Sequence, residues 1–197
     1  MIKVISGHLK GMKIQTPQGE TTRPTSARIR ESIFSALGES VVGSNFVDLF
    51  AGSGAIGIEA ISRGAASCIF VEKDPKVIKL IEVNLTEASR RFTAQDLEPY
   101  KSQVLCADSY QVARRCLERK GETILWADPP YDQVLAFIES PFCQEIQELC
   151  AKDTLLVIEM AAKGTESGSY CQNIGNFICI RNKTLGQTRT VIWKKEG

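Results

Sequence analysis

One stretch of the chain, residues 46–57, restricts the possible fold more than any other. Its first five residues are apolar apart from Asp48, which is typical of a buried parallel strand. Gly52, Gly54 and Gly57 then follow in a G-x-G-x-x-G pattern, and glycine lets the backbone turn tightly and approach a ligand closely. A helix that starts directly after this turn points free backbone N–H groups at that ligand. The stretch therefore predicts a strand, a ligand-binding turn and a helix.

Strand and helix patterns alternate after this stretch. Short apolar runs with strand character lie at residues 67–72, 103–106, 123–127 and 155–158. Helical patterns separate these runs, and such alternation is typical of β-α-β units built around a parallel sheet. We therefore expect an α/β, Rossmann-like fold with a mostly parallel twisted sheet.

Two further pairs of strand-like runs lack a helix between them. Residues 177–181 and 188–193 alternate around Gly186 and predict an antiparallel hairpin at the edge of the sheet. Near the N-terminus, residues 3–5 and 13–15 are separated by glycines and predict a second, smaller hairpin.

The composition is that of an ordinary globular protein. Hydrophobic residues make up 43% of the 197 residues and charged residues 24%, without an apolar run as long as a membrane span. The first residues lack the apolar segment of a signal peptide, so we expect a cytoplasmic protein with no membrane contact. The seven cysteines form no C-x-x-C pair and His8 is the single histidine, so we expect no metal site.

Positive charge is concentrated at the N-terminus although the net charge of the whole chain is only +1. Residues 1–30 contain six Lys or Arg and one acidic residue. Such a segment is either a solvated loop face or a basic arm that contacts nucleic acid. The candidate phosphate contacts in this segment are Lys10, Lys13, Arg23, Arg28 and Arg30.

The glycine turn by itself does not decide the chemistry, because G-x-G-x-x-G after a strand also marks nicotinamide and flavin enzymes. Glu72 ends the next predicted strand, where a carboxylate can accept hydrogen bonds from two ribose hydroxyls in either class of enzyme. A surface charge that closes the strand is the other explanation for Glu72.

The four residues Asp128-Pro129-Pro130-Tyr131 favour a different class of enzyme. They follow the fourth predicted strand of the sheet, and open α/β sheets bind ligands at the carboxyl ends of their strands. Two prolines stiffen the backbone, so that the carboxylate and a main-chain carbonyl can both face one exocyclic amine. Tyr131 offers a face on which a flat base can stack. A proline-rich turn with a capping aspartate is the alternative explanation.

The residues 48–54 together with 128–131 resemble S-adenosylmethionine-dependent amino methyltransferases. Arg23-Pro24-Thr25, residues 28–34 and residues 48–64 narrow this to a close resemblance to the bacterial RsmD family. Members of that family methylate the N2 amine of a guanine in 16S ribosomal RNA. The resemblance implies a Rossmann-like class I methyltransferase domain over residues 23–197, preceded by a basic β-hairpin arm over residues 1–22.

The resemblance also implies roles for individual residues. Asp128, Pro129, Pro130 and Tyr131 would be catalytic, holding the target guanine. S-adenosylmethionine would be bound by Asp48, Phe50, Ala51, Gly52, Ser53, Gly54, Glu72, Lys73, Asp108 and Ser109. Asp108 could instead cap a following helix. Arg23 and Arg28 could brace a loop over the cofactor rather than contact RNA. The implied substrate is an assembled or assembling small ribosomal subunit, and the implied state is a monomer.

Three alternatives remain open from the residues alone. The Asp-Pro-Pro-Tyr motif does not distinguish guanine from adenine, so an amino methyltransferase acting on DNA adenine N6 or on a protein side chain is the first. A nicotinamide-dependent oxidoreductase is the second, although it gives no reason for the two prolines. A non-catalytic RNA-binding module is the third.

Overall fold

The structure, a computed structural model, describes residues 2–17, 25–112, 116–117, 122–162 and 173–197. Its strands are β1 (Ile2–Lys3), β2 (Lys13–Ile14), β3 (Asn45–Asp48), β4 (Ser67–Glu72), β5 (Lys101–Cys106), β6 (Thr123–Ala127), β7 (Leu155–Ala161), β8 (Phe177–Leu185) and β9 (Thr188–Lys195). Its α-helices are α1 (Ala27–Leu37), α2 (Ala55–Ser62), α3 (Pro75–Ala94), α4 (Val134–Ile138) and α5 (Pro141–Leu149). No helix in these ranges is long and apolar enough to span a bilayer.

The main sheet has seven strands in the order β5-β4-β3-β6-β7-β9-β8. Strands β3 to β7 are parallel, while β9 runs antiparallel to both β7 and β8. The predictions of a mostly parallel sheet and an antiparallel C-terminal edge are therefore confirmed. From β3 the chain proceeds to β4 and β5 on one side, then crosses to β6 and β7 on the other. Such a reversal opens a ligand-binding crevice at the carboxyl ends of β3 and β6.

Apolar residues are buried on both faces of this sheet. Along β3, Phe46 packs into the cluster formed with α1, α2 and α3, whereas Val47 packs into the cluster with α4 and α5. On the neighbouring β6, Trp126 packs into the first of these clusters and Leu125 into the second. Burial on both faces explains why the strands read as nearly continuous apolar runs in the sequence.

The predicted N-terminal hairpin is confirmed, because β1 and β2 pair antiparallel. Its apolar side chains are buried in the same cluster as α1, α2 and α3. These side chains are Val4, Leu9, Met12 and Ile14. The hairpin thus shares the main core, and the predicted boundary between residues 22 and 23 lies outside the described residues.

A buried glutamate on α2 holds the hairpin against the domain. Glu59 is fully buried, and its two carboxylate oxygens accept hydrogen bonds from the backbone N–H groups of Ile5 (2.8 Å) and Ser6 (3.1 Å). Arg63, one turn further along α2, donates from Nε to the same carboxylate at 2.9 Å. The charge of Glu59 therefore joins the first residues of the chain to the helix that follows the glycine turn.

Arg30 contradicts the prediction of a phosphate contact. Its side chain is only 2% exposed, it forms an ion pair with Glu59 at 3.8 Å, and its Nη2 donates to the Lys3 carbonyl at 2.9 Å. The prediction was wrong because a buried guanidinium committed to Glu59 and Lys3 cannot reach a phosphate on the surface. Arg30 instead braces the hairpin and α1.

Candidate functional site

Carboxylates lie at the carboxyl ends of the parallel strands β3, β4, β6 and β7, and Asp108 follows the fifth parallel strand, β5. Asp48 ends β3, Glu72 ends β4, Asp128 directly follows β6, and Glu159 lies near the end of β7. The sequence analysis identified the first three and missed Glu159. In the ranges that the structure describes, no three His, Cys, Asp or Glu side chains are arranged to hold a metal ion.

The three glycines of the turn have different structural roles. Gly52 and Gly54 have φ angles of 50° and 77°, which side chains rarely permit. A Cβ on Gly52 would meet no atom within 4 Å, so the turn borders open space there. On Gly57, however, a Cβ would lie 2.3 Å from the Phe70 ring of β4. Gly57 thus allows α2 to pack closely on the sheet, while the first two glycines shape the loop.

Asp48 carries an unsatisfied buried oxygen beside this turn. The residue is 1% exposed, and its Oδ2 accepts a hydrogen bond from the Gly57 N–H at 3.1 Å. Its Oδ1 is buried and makes no hydrogen bond within the described part of the chain. Burial, together with the nearby charges of Asp128 and Glu72, raises the pKa of Asp48 to about 7. A donor or cation that reached Oδ1 would be strongly favoured.

Glu72 supports the glycine turn from the next strand. Its Oε2 accepts a hydrogen bond from the Gly52 N–H at 3.0 Å, and its Oε1 accepts one from the Asp74 N–H at 2.9 Å. Each carboxylate oxygen retains further acceptor capacity. The neighbouring Lys73 is exposed. Glu72 therefore orients the turn and still presents a carboxylate at the edge of the crevice.

Phe50, in the turn directly after β3, belongs to a group of aromatic rings. Its half-buried ring makes edge-to-face contacts with Tyr110 (6.3 Å between centroids) and Phe137 (5.7 Å). Such contacts fix the orientation of each ring. The cluster supplies an apolar wall next to the glycine turn.

Asp108 and Ser109 follow β5 at this same edge. Asp108 is exposed and its Oδ1 accepts a hydrogen bond from the Tyr110 N–H at 3.0 Å, so it does cap the short 3₁₀ turn Ser109–Gln111. The Ser109 hydroxyl is buried and donates to the Leu49 carbonyl. The capping role of Asp108 is observed, whereas a contact with cofactor stays a prediction.

Asn84 on α3 is a site residue that the sequence analysis missed. It is 2% exposed, and its Nδ2 donates to the carbonyl oxygens of Ser53 and Gln15, each at 3.0 Å. Its Oδ1 accepts the Gln15 N–H at 2.9 Å. Asn84 therefore joins the N-terminal hairpin to the glycine turn. A polar residue on the otherwise apolar face of α3, beside Leu85, was the available signal.

The Asp-Pro-Pro-Tyr residues directly follow β6 at the carboxyl end of the parallel strands. Asp128 is half-buried, Pro129 is buried and Pro130 is exposed. The Tyr131 ring is 47% exposed, and its hydroxyl lies 3.3 Å from the Thr188 hydroxyl of β9. The motif thus presents a carboxylate and an accessible aromatic ring at one end of the sheet.

Asp128 and Glu159 both contact one hydroxyl. The Thr25 hydroxyl oxygen lies 3.1 Å from Glu159 Oε2 and 3.5 Å from Asp128 Oδ2. Glu159 is 3% exposed. Burial raises the pKa of Asp128 to about 7, and burial together with the charge of Asp128 raises that of Glu159 to about 8. A glutamate within the apolar run of β7 was the signal that could have identified it.

Three of the five residues predicted to contact RNA are exposed on the surface. Lys10, Lys13 and Arg28 are exposed, whereas Arg23 lies outside the described residues and Arg30 is buried as described above. Lys13 lines a groove between the hairpin and α3. Arg90 and Arg91 line the same groove.

The family model described as Conserved hypothetical protein 95 matches residues 2–194. Ribosomal RNA small subunit methyltransferase D of Escherichia coli strain K12 is 33% identical over 198 residues, covering 100% of this chain and 91% of that protein. The chain belongs to the RsmD family of ribosomal RNA methyltransferases. The predicted resemblance to RsmD is therefore confirmed.

Further relatives of this RsmD chain agree in length and fold. The Bacillus subtilis protein YlbH is 34% identical, and the alignment covers 100% of both chains. The solved structure of the Escherichia coli protein yhhF covers 100% of this chain and 98% of its own, with a TM-score of 0.73 and 27% identity. An RNA methyltransferase from Salinibacter ruber, solved in complex with S-adenosyl-L-homocysteine, shares the fold with a TM-score of 0.57, 19% identity and coverage of 88% and 94%.

Proposed function

We propose that this protein transfers a methyl group from S-adenosylmethionine to the exocyclic N2 amine of one guanine in 16S ribosomal RNA. The observation that carries this proposal is the position of Asp128. Its carboxylate follows β6 at the point where the strand order reverses, across the crevice from the glycine turn after β3. Membership of the RsmD family supports ribosomal RNA as the substrate class.

The residues around the glycine turn fit S-adenosylmethionine. Asp48 Oδ1 is a buried acceptor without a partner in the described ranges, which suits the ammonium group of the methionine portion. Glu72 would accept the ribose hydroxyls. The open space at Gly52 admits the ligand, and Ser53 and Gly54 complete the turn around it. Phe50, Ala51, Lys73, Asp108 and Ser109 would line the remainder of the cofactor site.

S-adenosylmethionine, when bound, supplies a methyl group already activated on a sulfonium, so the protein must mainly orient the nucleophile. The lone pair of the guanine amine is delocalised into the ring, which makes it a poor nucleophile. Asp128 and the Pro129 carbonyl would accept its two N–H groups and favour a pyramidal nitrogen. The Asp128 carboxylate would also stabilise the positive charge that develops on that nitrogen. The exposed Tyr131 ring would stack on the base.

The decisive experiment is transfer of labelled methyl from S-adenosylmethionine to small ribosomal subunits from cells that lack this enzyme. Digestion of the recovered RNA to nucleosides should give N2-methylguanosine from a single site. Naked 16S RNA in parallel tests whether an assembled subunit is the substrate, as we propose. Label in N6-methyladenosine or in protein would overturn the guanine assignment. Absence of label in every substrate would favour a non-catalytic RNA-binding module.

The exposed lysines of the hairpin are proposed to contact RNA phosphates. Gln15 is hydrogen-bonded to Asn84, and Asn84 to Ser53, so this side of the hairpin borders the glycine turn. Lys13 is two residues from Gln15 and faces the groove that also contains Arg91.

Replacing Lys10 and Lys13 with alanine should weaken RNA binding, because counterion release supplies much of that affinity. The logarithmic salt dependence should fall by about one unit for each phosphate contact removed. The measurement is RNA affinity by fluorescence anisotropy at several salt concentrations. A matched pair of exposed lysines, Lys101 and Lys152, lies at the amino ends of β5 and β7, away from the crevice. Their alanine variant should keep the parent slope, and an equal slope in both variants would contradict the proposed contact surface.

A further inference from the structure

Glu159 is a buried acid that the mechanism above does not use. It lies on β7 opposite Thr190 of β9 and is 3% exposed. It contacts both ends of the Asp-Pro-Pro-Tyr motif, since Thr25 links it to Asp128 and the Tyr131 side chain hydrogen-bonds to it directly. A buried carboxylate is costly unless it is paired or protonated. Its environment therefore restricts which protonation state it can adopt.

Among the described residues, two titratable groups act on Glu159. Asp128 approaches from the end of β6, and Tyr131 from the turn that follows. Thr25, which precedes α1, contributes only a hydroxyl, and the residue paired with Glu159 on β9, Thr190, does not titrate. Burial and the charge of Asp128 both disfavour ionised Glu159, whereas hydrogen bonds from Thr25 and Tyr131 partly offset them.

The donors and acceptors in this group are satisfied when one of the two carboxyls is protonated, and burial disfavours the ionised form more for Glu159, the more deeply buried of the two. Thr25 has a single hydroxyl proton, so it cannot donate to two ionised carboxylates at once. If Glu159 is protonated, it donates to Thr25 Oγ1, and Thr25 then donates to Asp128 Oδ2. That chain leaves Asp128 ionised and able to accept hydrogen bonds from an amine. It also lets Glu159 accept the Tyr131 hydroxyl.

We propose that Glu159 is a positioning residue that acts in its protonated form, through Thr25, to keep Asp128 ionised and correctly oriented toward the target amine. This inference rests on the proposed methyltransferase function. Its chemistry is a hydrogen-bond chain, Glu159 to Thr25 to Asp128, in which no covalent bond changes.

The order of ionisation agrees with this chain. Burial raises the pKa of both carboxyls, and Glu159 is the more deeply buried of the two, so Glu159 keeps the shared proton as the pair titrates. As the pH rises through the pKa of Glu159, its carboxyl loses the proton that it donates to Thr25. Activity should then fall on the alkaline side.

The test compares Glu159→Gln, Glu159→Ala and the parent. Glutamine retains a donor to Thr25 and cannot ionise, so it should keep kcat near the parent value and abolish the alkaline decline of the pH–rate profile. Alanine removes the donor and should lower kcat by about 10²-fold with little change in KM. Loss of kcat in Glu159→Gln as large as in Glu159→Ala, or an unchanged alkaline limb, would overturn the proposal.

Thr25 provides a second, independent test. Thr25→Ser preserves the hydroxyl and should remain active, whereas Thr25→Val is nearly isosteric and interrupts the chain. In the Thr25→Val variant, adding Glu159→Ala should lower kcat little further, because both changes break the same hydrogen-bond link. Additive losses of kcat from the two changes would show that Glu159 and Thr25 do not act through one hydrogen-bond chain.

A readout without substrate separates this proposal from the proposed function. The ¹³C NMR signal of the labelled Glu159 carboxyl, assigned by its absence in Glu159→Gln, should titrate above neutral pH in the free protein. Titration in the range of an ordinary glutamate would overturn the inference even in an active enzyme. If the parent methylates no RNA, the proposed function fails while the NMR result still decides the protonation of Glu159.

Discussion

Asp128→Ala is expected to lower kcat for methyl transfer by roughly 10²–10³-fold while the affinity for S-adenosylmethionine stays nearly unchanged. The reason is that Asp128 follows β6, whereas the residues proposed to bind the cofactor, Asp48 and Glu72, end β3 and β4. The measurements are single-turnover methylation of small ribosomal subunits and calorimetric titration with the cofactor. Equal losses of affinity and rate would indicate a structural role for Asp128.

The same variant should not be less stable than the parent above neutral pH. The pKa of Asp128 is raised from 3.8 to about 7 in the folded protein, so its ionisation lowers the free energy of unfolding as the pH rises across that range. Burial is the main cause of the raised pKa values of Asp48 and Glu159, and removal of Asp128 takes away a second cause, its nearby negative charge. The control is Asp132→Ala, an exposed carboxylate in the same segment, which should leave kcat unchanged.

Glu59→Ala is expected to reduce the free energy of unfolding by about 3–5 kcal/mol, because it leaves the buried Arg30 guanidinium without its counter-charge. Burial already lowers the pKa of Arg30, and the variant removes the group that offsets this. The backbone N–H groups of Ile5 and Ser6 also lose their acceptor. Urea unfolding measures the loss, and amide hydrogen exchange should show faster opening of the N-terminal hairpin.

Two variants make this prediction specific. Glu82→Ala removes an exposed carboxylate from α3 and should change stability by less than about 0.5 kcal/mol. Replacing the ion pair by apolar residues, as Glu59→Leu with Arg30→Met, should recover part of the stability, because it removes the unpaired charge while the Ile5 and Ser6 N–H groups stay without their acceptor. A loss of less than about 1 kcal/mol in Glu59→Ala would contradict the bracing role assigned to this pair.

The order of strands and the glycine turn could be predicted because their signals are local. The apolar run before Gly52 and the positive φ angles of Gly52 and Gly54 depend on a few neighbouring residues. The motif after β6 was likewise identified from four consecutive residues. Alternation of strands and helices then placed Asp48, Glu72 and Asp128 at one edge, since parallel strands end on the same side of a sheet.

Arg30 and Glu159 show that local sequence signals do not reveal contacts between residues far apart in the chain. Arg30 belongs to a basic segment and resembles a surface residue in sequence, yet Glu59 and Lys3 enclose it after folding. Glu159 appears as one polar residue in an apolar strand. Thr25 meets Asp128 across 103 positions and Glu159 across 134 positions of the chain.

By itself the sequence determined the α/β architecture, the family and the location of the crevice, because periodicity, glycine conformation and short motifs are properties of neighbouring residues. Only the tertiary structure decided which charges are buried and which are paired. Desolvation and hydrogen bonding depend on what folding brings into contact, and the partners of Arg30, Asp48 and Glu159 come from distant segments.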